Sequence, residues 1–152
     1  MDMDLWNDLS EQFPRPAHDM AELPADITLL SSEQLAEMFT RITSWADYVA
    51  SELAQAQIKE RAFDNQINFR ENTLLVERMG SAAKGERITL VKAEISLDPE
   101  LRELVQKKEE AYAYRKMVEV LLSNHERDLS LVSREITRRT NDQRANRKDY
   151  GI

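Results

Sequence analysis

Apolar residues recur along this chain in two long series, each stepping alternately by four and three positions. The first series runs Leu35, Phe39, Ile42, Ala46, Val49, Leu53, Ala56, Phe63, Ile67 and Leu74, with Glu60 and Arg70 in the slots between. The second runs Leu104, Ala111, Val118, Leu122, His125, Leu129, Val132 and Ile136, with Lys108 and Arg115 in two of its slots. A mean step of 3.5 residues is the seam of a coiled coil or helical bundle. The boundaries are written just as plainly. Ser31 with Gln34 makes a capping box ahead of the first series, and Glu33 suits the positive end of the helix dipole. Asp98 caps the second, followed by Pro99 at the first helical position, where a missing N–H is harmless. The spacing predicts one helix from Ser31 or Ser32 to about Met79 and another from Pro99 to about Arg139, fraying past Thr140.

Between the two lies Gly80-Ser81-Ala82-Ala83-Lys84-Gly85, a turn composition, and then Ile88 to Ile95. The β-branched character of that stretch makes a strand conceivable. A short helix ahead of Asp98 is the preferred reading, since the chain offers no second strand to pair with it. Before Ser31, Pro14, Pro16 and Pro24 break any long helix. The expected fold is all-α: two long antiparallel helices in a helical hairpin with an extended N-terminal arm, assembling into an oligomeric bundle or ring. Its divisions are an acidic arm (1–30), a helical oligomerisation and binding domain (31–140) and a basic tail (141–152). A rod of forty residues, about 60 Å long, cannot bury itself. Leu104, Val118, Leu122, Leu129 and Val132 are therefore expected at the core of the oligomer.

Composition narrows the function classes. Charged residues make up 32% of the 152 and glycines number three, which suits extended, solvated helices better than a compact α/β core. With no cysteine, disulfide scaffolds and thiolate metal sites drop out, in keeping with a reducing cytoplasm. No apolar run approaches a membrane span, and the first residues are acidic where a targeting peptide places bases. A zinc reading of His125-Glu126 fails because the position four residues after the histidine is Leu129. Lys84-Gly85-Glu86 lacks the Ser or Thr of a phosphate loop, and no serine has a histidine or lysine placed to activate it. No enzyme, metal site or cofactor is expected.

Charge is distributed unevenly within the net −7. Residues 1–31 hold seven acids against Arg15 alone, while residues 133–152 hold six bases against three acids. Leu5, Trp6, Leu9 and Phe13 sit among those first acids at amphipathic spacing. They read either as a docking peptide for a basic-rimmed groove or as a strap on the chain's own or a neighbouring subunit. Both helix caps stand without the arm, so its removal is expected to leave folding intact. At the other end, Arg134, Arg138 and Arg139, then Arg144, Arg147 and Lys148, exceed what a helix dipole calls for and point to phosphate contact. Arg78, Lys84 and Arg87 form a smaller basic group at the turn.

The layout resembles the UvsY-type recombination mediators of T-even-like phages over roughly residues 40–139. The resemblance rests on Ser44-Trp45 in the first long helix, the glycine-punctuated connection, Leu97-Asp98 opening the second, Leu104-Val105, and Tyr112. It implies a helical homo-oligomer in the cytoplasm of a phage-infected host. That oligomer would bind single-stranded DNA and help load a recombinase onto strands coated by single-strand-binding protein. The family's basic contact pair near the connection has no counterpart here beyond Arg70 and Arg78 among acids, and the arm lies outside the resemblance. The alternative is a structural or adaptor coiled-coil protein, a phage assembly or host-interaction factor, that does not bind nucleic acid.

Overall fold

A computed structural model describes residues 11–81 and 88–149. Among them it is all-helical: α1 (Ser32–Ser81), α2 (Ile88–Ile95) and α3 (Pro99–Asp149), with a single 3-10 turn at Ile27–Leu29 before α1. Both predicted caps form. The Ser31 hydroxyl accepts from Gln34 N at 3.1 Å while the Gln34 side chain accepts from Ser31 N at 2.8 Å, closing the box. Asp98 Oδ2 accepts from Leu101 N at 2.9 Å. The stretch before Asp98 is helical, as preferred. The last helix departs from its predicted end: α3 continues to Asp149, so the expected fraying at 140 does not occur and the basic segment is helical. Nothing between Thr140 and Asp149 is a Gly or Pro that would stop it. No described helix is long and apolar enough to cross a membrane.

The chain divides into two compact units. The first joins the arm and α1 up to Glu52 with α3 from Val118 onward. Its core is Leu35, Ile42 and Val132, all essentially sealed from solvent, with Leu129 and Ile136 packed around them. The helices run antiparallel there, since Arg139 near the end of α3 reaches Ser32 at the start of α1. The arm belongs to this core. Ala21, Leu23 and Leu30 pack on the same cluster, the Trp45 indole N–H donates to His18 O at 3.2 Å, and the Arg15 guanidinium lies over the Trp45 ring. Residues 15–30 thus lie along the unit as a strap, with Ala21, Leu23 and Leu30 adding apolar cover to its core, which argues against the expectation that the arm is dispensable for folding.

The second unit spans Leu53–Met117 and includes α2. Its interior is thin, made of Ala56, Ile67, Val91, Leu101 and Ala111. Charges fill the rest of the seam. Glu60 pairs with Arg115, Asp64 with Lys108 at 2.6 Å, and Arg70 with Asp98 at 3.1 Å. The partner's number falls as the α1 number rises, which makes this pair antiparallel as well. Of the polar slots, Glu60 and Arg115 are each other's partners, while Lys108 and Arg70 pair with the flanking acids Asp64 and Asp98. Arg78 closes the unit by donating to Glu94 of α2 at 2.8 Å.

Every position named in the α3 series is buried or half-buried. In α1 one position slips: Met38 is half-buried where Phe39, 39% exposed, was expected. Within a single chain Val118 and Val132 are buried, while Leu104, Leu122 and Leu129 are half-buried.

Candidate nucleic-acid interface

The last turns of α3 bring all the described C-terminal arginines onto one helix, and the ion pairs sort them. Glu135, only 6% exposed, is the centre of the arrangement. Arg138 grips it at 2.9 and 2.8 Å, and Arg139 adds a third bond at 2.7 Å. These donors hold the Glu135 carboxyl down at about 2, Arg138 contributing more than Arg139, and Arg138 is raised in turn by Glu135. Arg138 has a second acid in Asp142 at 2.8 Å. Arg139, largely covered, also donates to Thr28 O at 3.1 Å, tying the end of α3 to the turn that precedes α1. Both arginines are committed inside the chain.

Arg134, Arg144 and Arg147 are different. They are exposed and make no ion pair among the described residues. Arg144 and Arg147 stand one turn apart and Arg134 almost three turns before them on the same helix, and each unneutralised guanidinium can hold a phosphate with its planar fork of donors. The smaller group at the turn is not assembled: Arg78 is paired with Glu94, and Lys84 and Arg87 lie outside the described residues. The Lys148 side chain and Leu5, Trp6 and Leu9 lie outside them too. Phe13, the fourth docking position, is 38% exposed beside α1.

His125 lies in the seam of the first unit, 4% exposed, and its Nε2 has no hydrogen-bond partner among the described residues. Burial lowers its pKa, and Asp128 opposes that weakly. Among the described residues no group of three His, Asp or Glu side chains could hold a metal ion. The chain matches no protein-family model, no curated protein and no solved structure.

Sequence reasoning sees the ladder pair of Glu135 with Arg139 but missed that the same acid also holds Arg138, which takes both arginines out of the basic patch. The signal was present in Glu135, which stands three and four residues before them, the spacing at which helical side chains meet.

Proposed function

We propose that this chain is a recombination mediator of the UvsY type. It binds single-stranded DNA through the last turns of α3, as an oligomer in the host cytoplasm, and helps a recombinase load onto strands held by single-strand-binding protein. No catalysis and no cofactor enter this reading. The observation that carries it is the set of exposed, unpaired guanidiniums of Arg134, Arg144 and Arg147 in a chain of net charge −7. Self-association multiplies a three-arginine patch that is weak in one copy. The exterior of the second unit supports self-association, since Phe69, Val76 and Met117 are each about three-quarters exposed.

Anisotropy of a fluorescent oligonucleotide, titrated with salt, tests the reading. Affinity should fall steeply, by about −0.7 in log–log slope for each phosphate contact on a single strand. Replacing Arg134, Arg144 and Arg147 with Ala should weaken binding to all sequences alike and flatten the slope. A parent protein that binds no oligonucleotide at low salt ends this proposal.

The second reading is a helical adaptor without nucleic-acid binding. Its support is that Arg78, Arg138 and Arg139 are all taken up by acids of the same chain. The same titration separates the two.

A further inference from the structure

In the first unit, α3 carries a second periodic stripe, on the side turned away from its seam. Val120, Asn124, Arg127, Leu131 and Arg134 recur at steps of four and three, half a turn from His125, Leu129 and Val132. All five are exposed, Val120 at 61%. No acid falls on the stripe. Among the described residues Arg127 forms an ion pair only with its neighbour Asp128, at a loose 3.9 Å, and Arg134 forms none. Two apolar side chains alternating with two guanidiniums at coiled-coil spacing form a face suited to an acidic amphipathic segment.

The chain contains one such segment. Residues 2–11 hold Asp2, Asp4, Asp8 and Glu11 with no base, and place Leu5, Trp6 and Leu9 on one face at helical spacing. We infer that residues 2–11 of one copy dock on the Val120–Arg134 face of α3 in a second copy. Trp6 and the two leucines meet Val120 and Leu131, and the acids meet Arg127 and Arg134.

The geometry selects a second copy over the same one. Gln12 and Phe13 line a cavity with Ser44, Asp47 and Tyr48. By the helical period Ser44 and Asp47 lie on the side of α1 opposite its seam residues Ile42 and Val49. The arm thus leaves from the outer side of α1, while the stripe is on the outer side of α3. Two helix diameters, about 20 Å, lie between, and the three residues from Leu9 to Gln12 reach at most about 11 Å even fully extended. They cannot carry Leu9 across that distance to the stripe.

The absence of cysteine makes the test direct. Asn7→Cys in one preparation is mixed with Asn124→Cys in another under mild oxidation, without nucleic acid, and disulfide-linked heterodimers are weighed by mass. The expected yield is severalfold that of Asn7→Cys mixed with Glu37→Cys, an exposed site on α1, and it falls with salt. Adding Arg127→Glu and Arg134→Glu to the Asn124→Cys copy should abolish the excess, and Asp4→Lys with Asp8→Lys in the other copy should restore it. A yield equal to the control, or one indifferent to charge reversal, overturns the inference. So does a single chain bearing both cysteines that closes on itself in dilute solution. Either failure leaves the nucleic-acid proposal standing, because that is read from oligonucleotide binding alone.

Discussion

Arg70 of α1 holds Asp98 with a two-point grip, Nε to Oδ2 at 3.2 Å and Nη2 to Oδ1 at 3.1 Å, while the same Oδ2 caps α3 through Leu101 N. One carboxylate both starts a helix and ties it to the preceding one. Arg70 above all, then the backbone N–H of Leu101, keeps the Asp98 pKa below its ordinary value. Asp98→Asn keeps a capping oxygen but loses the charged fork, and Asp98→Ala loses both. Thermal midpoints should rank parent, Asn, Ala. An Asn variant no better than Ala would mean that the cap contributes nothing.

The core of the first unit is small, so a single truncation there should be costly. Leu35→Ala should destabilise by about 2–5 kcal/mol in urea unfolding. Phe39→Ala, at the position the heptad favoured but the fold leaves outside, should change stability by only about 0.5 kcal/mol.

Deleting residues 1–25 should lower the thermal midpoint, because Ala21 and Leu23 leave the Leu35–Ile42–Val132 cluster. Trp45→Phe, which gives up the bond to His18 O together with part of the indole's buried surface and its contact with Arg15, should cost about 1–3 kcal/mol. A full-strength fold after the deletion would show that the strap is only laid on.

Two groups give stability a pH dependence of the same sign. The folded pKa of Glu135, about 2, is depressed below its ordinary 4.5, so its contribution is full above that value and is lost as pH falls towards 2. His125 is depressed below 6.5 by burial, so the unfolded chain takes up the proton first and stability falls as pH drops below 6.5. Midpoints of the parent and Glu135→Gln should converge in acid. The His125 imidazole, followed by NMR, should titrate below 6.5.

Glu135 also occupies two arginines with its own charge. If the end of α3 binds single strands, Glu135→Gln at neutral pH should raise affinity and steepen the salt slope by about 0.7 for each arginine that turns to phosphate. Unchanged binding with intact helix content would place the contact on Arg134, Arg144 and Arg147 alone.

The sequence by itself determined the helices. Heptad steps, the Ser31–Gln34 box and the Asp98-Pro99 start are local signals, each readable within a turn or two, and the structure keeps them. Even the end of α3 was readable in principle, as the absence of any breaker before Gly151. What only the tertiary structure decided is which charge belongs to which. Glu60, Asp64 and Arg70 meet Arg115, Lys108 and Asp98 across intervals of 28 to 55 residues in the bonds recorded between them, and such pairing needs the register of two antiparallel helices. Periodicity marks a seam but does not say what it faces: Leu129 and Val132, expected at an oligomer core, pack on Leu35 and Ile42 of α1 and on Ala21 and Leu23 of the arm within one chain. The same holds for the arginines at the end of α3. Their number is a fact of sequence; which of them are spent on Glu135 and which remain for a ligand is decided by packing that brings Thr28, Ser32 and Glu135 around one of them.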